Sequence, residues 1–282
     1  MKQRTMERRR QAALLPSYLI TALWCVFTFF LIGWIVAASL STTREIFSNK
    51  LLNSGLHMEN FTKALFANNV LLNLGNSLLY STVSVAISIL VCAPAAYLLA
   101  RHVFKGSKLI TKLLVIGLGI PSVMIIMPLF SVVNRLNMSN SRWTLILLYT
   151  GMSVPFVTFY LITFFKNVSS SYEEAASIDG CGPVNTFWRI VFPLVQPGVV
   201  TVVIFQFISR WNEYFIANIF ANKPDLRPVG VGLYTMIQSM SVTGDWAGMF
   251  ASVVLVFVPT VLVFVVLARR IMGGIALGGI KG

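Results

Sequence analysis

Cysteine and histidine are the side chains from which nucleophilic centres and metal sites are most often built. Here they are few and dispersed: Cys25, Cys92 and Cys181 have neither a disulfide framework nor a metal-ligand spacing, and His57 and His102 are isolated. No clustered nucleophile, acid–base pair or metal set is present. There is also no G-x-x-x-x-G-K-[ST] loop to cradle a nucleotide phosphate. The expectation is a chain that is no enzyme and binds no metal or cofactor of its own. Two other groups of residues remain. Asn76, Ser77, Tyr80, Tyr149, Tyr160, Gln206 and Asn212 lie within or beside apolar stretches. They offer amide, hydroxyl and aromatic-face contacts to a polar ligand in a mostly apolar pocket. The same residue types also serve as glue between helices or as interfacial aromatics. The second group is the run Ser170-Ser171-Tyr172-Glu173-Glu174-Ala175-Ala176-Ser177-Ile178-Asp179-Gly180-Cys181-Gly182-Pro183. Ser170 with Glu173, or Ser171 with Glu174, fits a capping box. Gly180 suits the left-handed turn that stops a short helix, and Pro183 the first position of the next. Two helices would meet at an elbow, with Ala175 and Ala176 permitting close approach by another surface. Such a segment is either a docking element or an ordinary surface loop.

The elements that must position these residues are apolar. Of 282 residues only 11% are charged and 56% are hydrophobic, whereas a soluble domain has about 25% charged residues. A helix crossing a bilayer needs about 20 mostly apolar residues. Six uncharged runs reach that length: 11–43, 64–100, 113–134, 143–165, 190–209 and 246–268. Within 64–100, Asn68, Asn69, Asn73 and Asn76 read as solvent-facing, which places the span near 78–100. The expected fold is an all-α integral membrane protein with six transmembrane helices. The first run is longer than the h-region of a secretory signal, so it reads as a retained anchor.

An even number of spans puts both termini on one side. With both in the cytoplasm, the 22 Lys and Arg divide fourteen inside to eight outside, the orientation the positive-inside rule favours. The formal net charge of +13 then reports orientation and contact with anionic membrane lipid, not nucleic acid, because the basic residues are split among separate segments. No ionisable residue lies inside the six spans, so neither an ion relay nor a charged filter is expected. The driving force must come from a partner. The segment from Arg210 to Asp245 reads as a long outer loop.

Glu174-Ala175-Ala176, Asp179-Gly180, Phe187, Ile190, Pro193 and Pro197 resemble the EAA loop of importer permeases of the ATP-binding cassette class. The likeness extends to Asn76-Ser77, Ala95-Ala96-Tyr97 with Arg101, Ile120-Pro121, Trp211-Asn212-Glu213 and the terminal Gly278-Gly279-Ile280-Lys281-Gly282. Together these resemble the permease subunits of carbohydrate importers over nearly the full chain, with Cys181 a departure where a small residue is usual. The resemblance implies a type I importer permease fold in a bacterial or archaeal cytoplasmic membrane. It divides the chain into a basic tail (1–10), a first helix with outer loop (11–75), a core (76–268) containing the coupling loop at about 170–193, and a C-terminal tail (269–282). The implied partners are a second permease subunit, two copies of an ATPase subunit that carry ATP and Mg, and an extracytoplasmic sugar-binding protein. Glu173, Glu174, Ala175, Ala176, Asp179 and Gly180 would couple to the ATPase, and Gly278–Gly282 would contact it as a tail. The stretch 241–245 would reach the binding protein or merely cap the helices. An importer of the same class for glycerol phosphate or a polyol, a self-sufficient carrier, and a membrane-embedded enzyme are the alternatives.

Overall fold

A computed structural model of the chain describes the backbone over 2–278 and side chains from 14 onward, apart from 240, 241, 263, 264 and 266–278. Its helices are α1 (Lys2–Ser39), α2 (Thr43–Phe47), α3 (Glu59–Phe66), α4 (Val70–Arg101), α5 (Ser107–Gly119), α6 (Ser122–Arg135), α7 (Arg142–Asn167), α8 (Ser171–Ile178), α9 (Pro183–Thr186), α10 (Phe192–Leu194), α11 (Gln196–Trp211), α12 (Phe215–Phe220), α13 (Val229–Thr243) and α14 (Trp246–Gly278). A π-helical turn, Phe187–Val191, joins α9 to α10, and no strand occurs among the described residues. The chain forms two compact units. One combines residues up to Asn68 with Met236–Phe257; the larger combines Asn69–Thr235 with the chain from Val258 onward.

In the smaller unit, α1 presents apolar side chains outward from Leu14 to Leu31, with Tyr18, Leu23, Trp24 and Phe29 each about 70% exposed. In water such a surface would be a large penalty; in hydrocarbon it is the solvated state. Beyond α1 the chain turns into polar structure with defined caps. Thr42 and Glu45 form a reciprocal capping box at the start of α2, and the Glu45 carboxylate also accepts from the Ser54 hydroxyl at 2.8 Å. Asn60 Nδ2 donates to the Ser39 and Ser41 carbonyls, both at 3.0 Å, tying α3 to the end of α1. Lys63 pairs with Asp245 at 2.8 Å. Asp245 in turn accepts from the Gly248 N–H at the start of α14.

The larger unit is organised by α4 against α7. Ser81, Ser84 and Ser88 recur at helical spacing on the buried face of α4, and small residues of this kind let helix backbones approach closely. Ser84 and Ser88 each donate back into their own helix, and Thr150 on α7 lies 3.4 Å from the Ser84 carbonyl. One apolar core, including Cys92, Ala96, Val157, Leu161, Phe165, Phe187 and Val202, packs α4 and α7 against α11 and the π turn. A second, including Tyr80, Ile126, Leu145, Tyr149, Ile216 and Leu226, packs the other ends of α4 and α7 against α6 and α12.

Among the described residues three helices are long and apolar enough to cross a membrane, and five segments are if each bent pair counts as one; Trp246–Leu262 is a shorter apolar stretch. The expected third span, 113–134, is therefore not continuous. It breaks by 106° between α5 and α6. Pro121 lacks an N–H and holds Ile120 in extended conformation, φ −82° and ψ 115°, so α5 cannot continue. A second bend, 76°, separates Pro183–Leu194 from α11. Two further expectations are corrected. Asn73 and Asn76 are buried within α4, and the helix opens at Val70. The segment from Arg210 to Asp245 is mostly helical (α12, a 3-10 turn at Pro224–Leu226, and α13) and not an irregular loop.

Candidate functional site

The elbow at 170–193 is built from its ends inward. Gly180 has φ +75°, the left-handed conformation that glycine adopts without a Cβ penalty. The Cys181 N–H donates to the Ala176 carbonyl at 2.8 Å and the Gly180 N–H to the Ser177 carbonyl at 3.1 Å. This pair of bonds is the Schellman closure of α8. Pro183 is the first residue of α9, where its missing N–H costs nothing. The start of α8 departs from expectation. Ser170 has helical dihedrals and makes no side-chain cap; instead Ser169 accepts the Ser171 N–H at 3.3 Å. Glu173 is consequently free of capping and serves a different purpose. Its carboxylate accepts from Arg101 Nε at 2.8 Å, while Arg101 Nη2 donates to the Val168 carbonyl at 2.6 Å. One guanidinium at the end of α4 thus holds both α8 and the end of α7, as only a rigid multi-donor fork can.

Burial sorts the coupling candidates. Ala176 faces inward at 3% exposure, and Glu173 is half-buried against Arg101. Glu174, Ala175, Asp179 and Gly180 are exposed, beside Ile178 at 86% and Val184 at 71%. Beneath them Tyr97, Phe165 and Phe187 meet with ring centroids 5.1–6.0 Å apart. The exposed face of the elbow is therefore small, partly apolar and mounted on an aromatic base. Of the terminal candidates, Gly278 ends α14, and Gly279, Ile280, Lys281 and Gly282 lie outside the described residues.

The substrate-path candidates separate into three groups. Asn76, Ser77 and Tyr80 turn to the 225–229 segment. Asn76 donates to the carbonyls of Asp225 (2.8 Å) and Arg227 (3.1 Å), Tyr80 to that of Leu226 (2.9 Å), and Ser77 Oγ accepts the Val229 N–H (2.9 Å). Their polar atoms are thereby used as helix–loop glue. Tyr160 lies in an aromatic row between Phe156 and Phe164, and exposed Asn212 donates to the Ile208 carbonyl at the end of its own helix. Tyr149 and Gln206, in contrast, belong to a buried polar network. Gln206 Oε1 accepts from Ser153 at 3.0 Å and from Arg210 Nη2 at 3.4 Å; Arg210 Nη2 also donates to Ser153 at 3.1 Å. The Tyr149 hydroxyl donates to Glu213 at 2.7 Å, and its ring lies 5.3 Å below the Arg210 guanidinium carbon.

This network borders a cavity of about 810 Å³ between the α5–α6 break, α7 and α11. Ser122 from the break, Met152, Pro155 and Phe156 from α7, and Ser209, Arg210 and Glu213 line it. The volume is that of a small-molecule site, and the mixture is mostly apolar with a few convergent polar groups. Arg210 and Glu213 were not among the sequence candidates. Their i, i+3 spacing with Trp211-Asn212 between, at the end of an uncharged helix, was the available signal.

A family model described as binding-protein-dependent transport system inner membrane component matches residues 92–272, which takes in the elbow and the cavity's Arg210 side. The chain belongs to this family. Among similar proteins, the sulfoquinovosyl glycerol transport system permease protein SmoH of Agrobacterium fabrum is 35% identical over 88% of this chain and 87% of its own. The diacetylchitobiose uptake system permease protein NgcG of Streptomyces coelicolor is 31% identical over 96% and 89%. A solved bacterial ABC transporter involved in import of the acidic polysaccharide alginate superposes with a TM-score of 0.79, at 20% identity, over 90% of this chain and 95% of that one. That likeness establishes the permease fold. The chain is thus a permease component of a membrane transport system, helical without strands among the described residues, and the expected family membership stands.

Proposed function

We propose that this chain is the non-catalytic membrane subunit of an ATP-driven importer that passes a sugar or oligosaccharide inward by alternating access. The observation that carries the reading is kinship along nearly the whole chain with permease proteins named for sulfoquinovosyl glycerol, diacetylchitobiose and galactooligosaccharide transport. The finer reading has six spans with both termini in the cytoplasm, α5–α6 and the bent segment ending in α11 each counting as one span and α14 as the last. The core of 76–268 would pair with a second permease. Two ATPase subunits, holding ATP and Mg, would press on the elbow, and a sugar-binding protein would dock outside.

The elbow's construction supports this coupling. Arg101 joins α8 to the ends of α4 and α7, so force on the exposed Glu174–Ala175 face passes to two spans at once. The cavity beside Arg210 supports a polar cargo. Reconstitution tests the reading: proteoliposomes holding this chain with its partner permease and ATPase, supplied with the binding protein, are assayed for uptake of trehalose, N,N′-diacetylchitobiose, galactobiose and sulfoquinovosyl glycerol. Uptake of at least one sugar that requires ATP and all subunits is expected. Uptake by this chain alone, or no uptake of any sugar by the full complex, overturns it.

A further inference from the structure

Arg210 is placed unusually. It ends an otherwise uncharged helical run, lines the cavity, and bonds to Ser153 and Gln206 through Nη2 alone. Among the described residues its Nε is buried without a partner, and Nη1, which is not buried, makes no hydrogen bond and is the donor left open. A buried charged donor left unmade is expensive, and native structures keep one where something else completes it. The positive charge is nevertheless balanced. Tyr149 puts its ring under the guanidinium and its hydroxyl on Glu213. Glu213, which also lines the cavity, further accepts the Ile216 N–H at 2.7 Å and the Ala217 N–H at 3.1 Å. Three accepted bonds leave about one of a carboxylate's four lone-pair sites open. Phe156 and Met152 line the same cavity, an aromatic face and an adaptable apolar side chain.

We infer that this chain itself holds a sugar subsite in the cavity: Arg210 donates to ring or hydroxyl oxygens, the remaining Glu213 site accepts one hydroxyl, and Phe156 covers the apolar face of the ring. The inference rests on the sugar-importer reading and adds to it the residues and the charge class. One cation and one carboxylate at the same cavity select an uncharged saccharide over an anionic one. Asn76, Ser77 and Tyr80 are excluded from the subsite because their polar atoms are bonded to the 225–229 segment.

Ser209 lines the same cavity and is exposed, which makes it a reporter. In the assembled complex without binding protein, Cys25, Cys92 and Cys181 are replaced by Ser and Ser209→Cys is introduced. N-ethylmaleimide labelling is followed against the concentration of whichever sugar of the panel above the unsubstituted importer takes up. That sugar should slow labelling, and Arg210→Gln should raise the half-protecting concentration about 10- to 100-fold, as loss of one charge-assisted hydrogen bond does. Arg210→Lys should restore part of it. Retention of the partner permease and ATPase on Arg210→Gln checks that the network still folds, and Phe156→Leu, a gentler change, should raise the half-protecting concentration too. If a transported sugar leaves the labelling rate unchanged, water fills the Arg210 donor and the subsite is wrong while the importer reading stands. If only the sulfonated sugar protects, the charge class is wrong. If the complex takes up no sugar, the importer reading fails and the subsite with it.

Discussion

At the scale of single residues, two positions on the elbow separate a conformational requirement from a contact requirement. Gly180 is left-handed and exposed, and a Cβ there would meet nothing within 4 Å. The cost of Gly180→Val is thus backbone strain alone, about 1–2 kcal/mol for an L-residue in this region and more for a β-branched one. Unwinding the Schellman closure would move Asp179 and Cys181 relative to Ala175. Gly180→Val should therefore lower sugar uptake and loosen ATPase retention, read by co-purification, while the chain still inserts; unaltered uptake and retention would refute a coupling role. Arg101→Ala acts differently. It leaves Glu173 half-buried without its cation and frees the Val168 carbonyl. Uptake should fall with ATP hydrolysis still measurable, because the elbow then yields where it should push. A comparable loss from Glu173→Gln, measured as uptake per ATP hydrolysed, identifies the pair as the connection. The pair was not legible from spacing. Glu173 had a sufficient local explanation as a capping residue, and only the fold brings Arg101 beside it.

At the scale of elements, the sequence discloses most where one local rule has no competitor. Gly180 and Pro183 ended one helix and began the next as their backbone chemistry requires. Pro121 could equally have bent or broken its span; the structure breaks it. Asn76 was misleading because polarity marks a helix face as wet only when no partner is available, and the carbonyls of Asp225 and Arg227, far along the chain, are such partners. Asn73 is instead buried by close packing against Gly232, its Oδ1 without a partner among the described residues. Gly198, on α11, shows a packing requirement that composition does not reveal. A Cβ at this position would come within 2.4 Å of the Phe164 ring on α7. Gly198→Ala should destabilise the α7–α11 contact by about 1–3 kcal/mol, the usual range for overpacking, lowering the melting temperature of the purified complex. Gly198→Ala with Phe164→Leu should recover part of the loss. In the polar structure after α1, Glu45 makes a further prediction. Hydrogen bonds from the Thr42 backbone, and then from the Ser54 side chain, hold its pKa down to about 2 from 4.5. A depressed carboxylate stabilises the fold above its unfolded pKa and loses that contribution as pH falls toward the folded one. The thermal midpoint should therefore fall between about pH 4.5 and 2 more steeply for the unsubstituted protein than for Glu45→Gln. Parallel curves would show that the capping box does not stabilise the region.

At the scale of the whole molecule, orientation decides which side the elbow faces, and the chain carries its own reporter. Fourteen of 22 basic residues fall on one side if both termini are cytoplasmic, a bias that sets topology through the short loops nearest the spans. The three native cysteines divide by environment. Cys25 is exposed, but its neighbours Trp24, Val26 and Phe27 are exposed too. That arrangement places the thiol in hydrocarbon, where a charged reagent does not enter. Cys92 is buried at 1% between α4 and its partners. Cys181 alone lies outside the spans, half-exposed on the elbow immediately after Gly180. A membrane-impermeant maleimide should consequently label the unsubstituted chain in inverted vesicles and leave it unlabelled in right-side-out ones, and Cys181→Ser should abolish the signal. His57→Asn with Ser54→Cys, in the polar structure between α2 and α3, should give the opposite sidedness in a Cys181→Ser background. Equal labelling of Cys181 from both sides would mean dual insertion, and labelling only from outside would invert the topology. Either result would remove the elbow from the ATPase side and, with it, the proposed route by which ATP drives transport.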